Sequence, residues 1–183
     1  MPNDTSPYRY FAYGSNLCSS RLRERTPSAS VVAVARLAGY DLRFHKRSTD
    51  TSGKCDAYET RKDTDVVWGV VFEIDSQEKP ALDRAEALNA GYEERPVDLE
   101  SDAGSISALT YVASPGYVDD GLVPFAWYLR YVVLGAEGHE FSDHYVRRLR
   151  EVQTRIEGCT MNGARALDVD SRTPSIEPPA GQR

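Results

Sequence analysis

Two short segments of this chain carry residue types suited to moving a proton beside a bound anion. The first holds Glu86, in Leu82-Asp83-Arg84-Ala85-Glu86-Ala87. On a helix, Glu86 has Ala85, Ala87 and Leu88 around it and Leu82 four residues earlier on the same face. A carboxylate on an apolar face is partly desolvated, which raises its pKa toward the range of an acid or base working near neutrality. A solvated helix glutamate is the plainer reading of the same position. The second segment is Tyr10-Phe11-Ala12-Tyr13-Gly14-Ser15-Asn16-Leu17, where an aromatic, apolar run stops and a helical pattern begins. Gly14 permits a sharp turn, and Asn16 or Ser15 suits a helix N-cap. A strand turning straight into a helix leaves backbone N–H groups free at a positively polarised end, a setting for a carboxylate, phosphate or oxyanion. An ordinary strand–turn–helix joint has the same signature. Five of the 11 tyrosines, Tyr10, Tyr13, Tyr92, Tyr111 and Tyr128, fall at ends or edges of predicted elements. Buried tyrosines need partners for their hydroxyls, so these could line a polar-tipped pocket or serve as core and surface aromatics.

Other chemistries find weaker support. His45, His139 and His144 stand at no ligand spacing with a second His or Cys, so no metal site is expected. His139 and His144 flank a helix start, where exposed polar residues are common. Ser15 lacks the Gly-x-Ser-x-Gly frame of a nucleophile elbow, and Cys18 on the first helical turn is better read as cap or core. The turn also lacks the lysine-bearing pattern of a phosphate-binding loop. Arg21, Arg23 and Arg25, interrupted by Glu24, read as a solvated helix face.

These residues need elements to position them. Alternating or β-branched runs predict strands at 8–13, 30–37, 40–46, 55–61 and 66–74, with a polar loop at 47–54. A first helix is predicted over 17–25, stopping before Pro27. Ser76 is the expected cap of a helix running to Leu88, with Pro80 tolerable in its first turn. Residues 92–99 and 105–112 form an expected hairpin around Asp102-Ala103-Gly104. Residues 124–134 predict a helix ended by Gly135. The last helix starts at the cap Ser142 with Phe141 and Val146 as a hydrophobic staple, and Tyr145, Leu149, Val152 and Ile156 as its buried stripe. The order lacks regular βαβ alternation, so the expected class is α+β, with mixed or antiparallel strands in a small, partly closed sheet or barrel and helices packed around it.

Size and charge narrow the classes further. The chain of 183 residues fits one domain, expected over 8–160, with flexible tails at 1–7 and 170–183. A formal net charge of -6 argues against nucleic acid as a partner. No stretch approaches the length of a membrane span, and the polar start has no signal-peptide core. Cys18, Cys55 and Cys159 are far apart and odd in number, which points to a reducing, cytoplasmic setting. The Asn3-Asp4-Thr5 glycosylation triplet then carries no meaning. A monomer and a homodimer are both compatible with this composition.

Taken together, the segments resemble the γ-glutamylcyclotransferase family. The match begins with Tyr10-Phe11-Ala12-Tyr13-Gly14-Ser15-Asn16-Leu17 and continues through Pro27-Ser28-Ala29, Val34-Ala35-Arg36-Leu37 and Val67-Trp68-Gly69-Val70-Val71. Phe44-His45-Lys46-Arg47-Ser48 and Ser52-Gly53-Lys54-Cys55-Asp56 resemble its bacterial branch. Leu82-Asp83-Arg84-Ala85-Glu86 matches the segment ending in the family's acid/base glutamate, followed by Gly91-Tyr92 and a helix with Tyr128. One departure is Ala87, where the family often has glycine.

The resemblance implies a γ-glutamylcyclotransferase-like fold and a reaction without metal or organic cofactor. A γ-glutamyl amide cyclises as its α-amine attacks its own γ-carbonyl, giving 5-oxoproline and the free amine. Glu86 would be the catalytic acid/base. Tyr10, Phe11, Ala12, Tyr13, Gly14, Ser15, Asn16 and Leu17 would bind the substrate, with Tyr92 and Tyr128 closing the pocket. The partner expected is thus a small γ-glutamyl amino acid or dipeptide. A γ-glutamylamine cyclotransferase, acting for example on the isopeptide of glutamate with the lysine side chain, is the alternative within the family. A non-catalytic small-metabolite binder is the alternative outside it, and the retained Glu86 argues against that one.

Overall fold

A computed structural model describes residues 6–156. The expectations for Cys159, the Asn3-Asp4-Thr5 triplet and nearly all of both tails lie outside these residues. The strands are β1 (Tyr8–Ala12), β2 (Ser30–Ala38), β3 (Tyr40–Arg47), β4 (Gly53–Glu59), β5 (Val66–Ile74), β6 (Tyr92–Ser101) and β7 (Gly104–Ala113). The helices are α1 (Ser19–Arg23), α2 (Lys79–Ala85), α3 (Ala126–Gly138) and α4 (Asp143–Arg150). Their order is the predicted one.

Five strands close a barrel in the order β1-β5-β2-β6-β7, while β3 and β4 form a separate two-stranded sheet. All neighbours in the barrel are antiparallel except the closing seam, where β1 meets β7 in parallel at Tyr10 and Leu109. The mixed, closed α+β architecture is therefore the one expected. Strand β5, between β1 and β2, is covered on both faces: Val67, Val70, Val71, Phe72 and Ile74 are all buried. Gly69 lets β5 pass close to β1: a Cβ there would fall 2.4 Å from the Phe11 ring.

Several boundaries differ from prediction. The first helical segment splits into a 3-10 turn at Ser15–Leu17 and the short α1. Neither Asn16 nor Ser15 caps it: Gly14 and Cys18 hold the two cap positions, with no side-chain cap bond. Asp75 rather than Ser76 caps the next segment, its carboxylate accepting from the Gln77 amide at 2.8 Å. Helix α2 stops at Ala85, short of Leu88, because Ala87 and Asn89 turn into the left-handed region (φ 51° and 63°). Helix α3 runs through Gly135 to Gly138. Gly135 is a packing residue, since a Cβ there would lie 2.4 Å from Leu17 Cβ and 2.6 Å from the Cys18 amide. Helix α4 does begin at Ser142, which accepts from the Tyr145 amide, with Phe141 and Val146 buried. It ends at Arg150, however, so Val152 and Ile156 fall outside it and Ile156 is 70% exposed.

Candidate active site

The 3-10 turn after β1 faces the end of α2. Between them lies a cavity of about 290 Å³ lined by Tyr10, Tyr13, Gly14, Ser15, Asn16, Cys55, Glu86, Tyr92, Tyr111 and Tyr128. All five singled-out tyrosines are in its wall. Phe11, Ala12 and Leu17 are not; they are fully buried behind it and hold the turn against the barrel.

Gly14 keeps the floor open. A Cβ there would approach Cys55 Cβ to 3.1 Å and the Tyr128 hydroxyl to 3.3 Å. The turn uses the amides of Leu17 and Cys18 on the carbonyls of Gly14 and Ser15. Among the described residues, the amides of Gly14, Ser15 and Asn16 have no such backbone partner, and all three residues line the cavity. Its far side is braced from below. His139 Nε2 lies 3.1 Å from both the Leu17 carbonyl and Ser19 Oγ, so this histidine is half-buried and engaged where exposure was expected.

Asn16 ties the turn to the carboxylate. Its side chain is buried, its Nδ2 donates to Glu86 Oε1 at 2.7 Å and lies 3.1 Å from the Tyr10 hydroxyl. Its Oδ1 accepts from the Arg25 guanidinium at 2.7 Å, and that guanidinium stands 3.6 Å from Glu86. Glu86 occupies the C-cap position of α2, with a side chain 18% exposed. Burial pushes its carboxyl above the ordinary glutamate value, while Arg25, Asn16, Lys46 and Arg21 pull it back. A group balanced in this way can take a proton and return it.

The tyrosines are fixed by their own hydroxyls. Tyr92 donates to the Cys55 carbonyl at 2.5 Å, and the Cys55 amide donates to the Tyr128 hydroxyl at 3.1 Å. Tyr13 donates to the Tyr111 carbonyl, and Tyr111 to Asp83. Burial pushes the Cys55 thiol up to about 12, so it stays protonated in the wall and is no nucleophile.

Arg25 and Cys55 belong to the site and were not anticipated. Arg21 and Arg25 read as a solvated face in the sequence, yet both reach toward Glu86 across the turn. Their helical spacing of four residues was the available signal, but it could not say which way the helix faced. His45 bridges Asp56 and Asp120 at 2.8 Å each, away from the cavity.

The chain is similar to several known proteins. Residues 66–149 match the model of the AIG2-like family. The chain is 29% identical to the gamma-glutamylcyclotransferase of Homo sapiens over 157 residues, covering 82% of this chain and 81% of the relative. It is 28% identical to the Bos taurus gamma-glutamylcyclotransferase over 156 residues, with the same coverage of each chain. A solved gamma-glutamyl cyclotransferase structure superposes with a TM-score of 0.76 at 25% identity, covering 84% of this chain and 92% of that one.

Proposed function

We propose that this chain is a member of the γ-glutamylcyclotransferase, AIG2-like family and that it cleaves γ-glutamyl amino acids to 5-oxoproline and the free amino acid. The observation carrying the mechanism is the 2.7 Å bond from Asn16 to Glu86, which sets a desolvated carboxylate against the anion-binding turn. The γ-glutamyl group lies folded in the cavity, with its α-amine beside its own γ-carbonyl carbon. Glu86 accepts a proton from the α-ammonium. The freed amine attacks the carbonyl carbon, forming the ring C–N bond and a tetrahedral oxyanion. Glu86 then returns the proton to the amide nitrogen as its bond to carbon breaks, and it carries the ring nitrogen's second proton to the departing amine, which leaves as an ammonium. Nothing is added or lost: one γ-glutamyl amide becomes 5-oxoproline and one amine.

Each part supplies a stated share. One backbone donor aimed at the oxyanion is typically worth about 3 kcal/mol of barrier. Holding nucleophile and electrophile together in one folded molecule supplies much of the rest. A carboxylate that shuttles the two protons in turn gives this reading a mechanism without a metal or organic cofactor. Tyr92 and Tyr128, fixed through the Cys55 backbone, form the wall that shapes the folded substrate.

The described barrel lies within a single proposed domain, residues 8–160. No helix among the described residues is long and apolar enough to cross a membrane. Cytoplasm is the proposed compartment, supported by the free thiols of Cys18 and Cys55. A small metabolite, and no nucleic acid, is the proposed partner, supported by the formal net charge of -6. Release of 5-oxoproline from γ-glutamyl-alanine tests the reading, with ε-(γ-glutamyl)lysine as the competing substrate. Faster release from the isopeptide favours the amine-specific alternative, and release from neither leaves a binder. Full turnover by a folded Glu86→Gln protein would overturn the mechanism.

A further inference from the structure

The cavity at Glu86 opens into an outer chamber of about 900 Å³ that shares Ser15, Glu86, Tyr92 and Tyr128 with it. Five cations line this chamber, Arg21, Arg25, Lys46, Arg47 and Lys54, against one carboxylate, Glu86. That concentration of positive charge lies in a chain whose formal net charge is -6. Three of the five are answered locally. Arg25 stands 3.6 Å from Glu86, Lys54 pairs with Asp50 at 2.8 Å, and Arg47 with Asp119 at 3.4 Å. Among the described residues, Arg21 bonds only to a neutral group, Ser15 Oγ at 3.3 Å, and lies over the Tyr131 ring.

Lys46 is the most unusual of the five. The residue is 6% exposed, yet among the described residues its ammonium has no hydrogen-bond or salt-bridge partner. It rests 4.5 Å from the centre of the Tyr92 ring, beside the reacting cavity. The fold makes specific room for it: at Gly91 (φ +148°) a Cβ would fall 2.7 Å from both Lys46 Cε and Nζ. The stem of Lys46 is packed away while its ammonium lines the chamber, where an anion could pair with it. Burial accordingly pushes this lysine below its ordinary value.

We propose that the outer chamber is the leaving-group subsite, that Lys46 anchors a carboxylate in it, and that the preferred substrates release an acidic amino acid. The proposal rests on the cyclotransferase reading and deepens it. An acidic leaving group brings two carboxylates to the two cations without a carboxylate partner, Lys46 and Arg21. Alanine brings one, and a simple alkylamine none.

The test compares kcat/KM for 5-oxoproline release from γ-glutamyl-glutamate, γ-glutamyl-alanine and γ-glutamyl-ethylamide, in the natural protein and in Lys46→Met. The natural protein should rank them in that order, with a charge-assisted contact giving about tenfold per step. In Lys46→Met the ratio of γ-glutamyl-glutamate to γ-glutamyl-ethylamide should fall by about tenfold. Equal kcat/KM for all three substrates overturns the proposal while leaving the cyclotransferase reading intact. Release from none of them overturns both. A folded Lys46→Met protein that keeps the natural ratio removes Lys46 as the anchor. Should that variant not fold, the ranking by the natural protein alone decides whether the chamber selects acidic leaving groups.

Discussion

At the scale of single residues, Glu86 carries two opposed demands. Burial disfavours its charge, while Arg25, Asn16, Lys46 and Arg21 favour it. Burial prevails, so the folded protein holds a proton at Glu86 more readily than the unfolded chain does. The ionised group therefore penalises the fold above its raised pKa, and the penalty vanishes below the ordinary value of 4.5. Glu86→Gln should lower kcat by about 10²–10⁴-fold, the usual worth of positioned acid–base catalysis. It should not lower stability at neutral pH, and any gain over the natural protein should fade as pH falls toward 4.5. Urea melts at several pH values check this, and a Gln variant less stable at neutrality would contradict the desolvation account. Arg25→Gln removes the foremost group holding Glu86 down. The acid limb of the kcat/KM profile, which rises as Glu86 ionises, should then move to higher pH; an unmoved limb would show that Arg25 does not tune it.

At the scale of elements, the end of α2 places the proposed acid/base, Glu86. Glu86 sits where the helix closes because Ala87 reverses the chain at φ 51°. That conformation explains why a glycine suits this position: left-handed backbone costs a side-chain-bearing residue about 1 kcal/mol or more. Ala87→Gly should leave stability unchanged or raise it by up to about 1 kcal/mol, the relieved strain being partly offset by glycine's entropy. Ala87→Val, β-branched in the same conformation, should destabilise by about 1–2 kcal/mol. Denaturant titration of the pair checks both signs. The first helical segment and α3 show the converse case, in which glycine serves contact. Gly135 lets α3 lie directly on Leu17 and Cys18, so the turn proposed to bind the substrate rests on a helix backbone.

At the scale of the whole molecule, closure of the barrel brings the site together. Asn16 and Glu86 are 70 residues apart, and Tyr128 lies 73 residues from its partner Cys55. The closing seam between β1 and β7 has a single ladder pairing, Tyr10 with Leu109. It is reinforced by the buried Thr110 hydroxyl, which donates to the Phe11 carbonyl at 2.8 Å. Thr110→Val keeps the shape and removes that bond, so it should cost about 1 kcal/mol in a urea melt. A variant as stable as the natural protein would mean that packing alone holds the seam.

How much of this was legible beforehand follows from range. The strand at Val66–Ile74, the hairpin around Asp102 and Ala103, and the cap at Ser142 are local patterns of side-chain period and turn chemistry, and the sequence by itself determined them. It also determined the two chemical parts, a glutamate near the end of a helix and a turn rich in free amides. Only the tertiary structure decided that α2 stops at Ala85 with Glu86 at its cap, that Gly135 is a contact, and that Arg21, Arg25 and Lys46 line one chamber with the carboxylate. Those facts depend on which faces meet when the sheet closes. Local period fixes how a side chain points relative to its own element, but contacts between elements distant in sequence are set by the packing of the closed barrel.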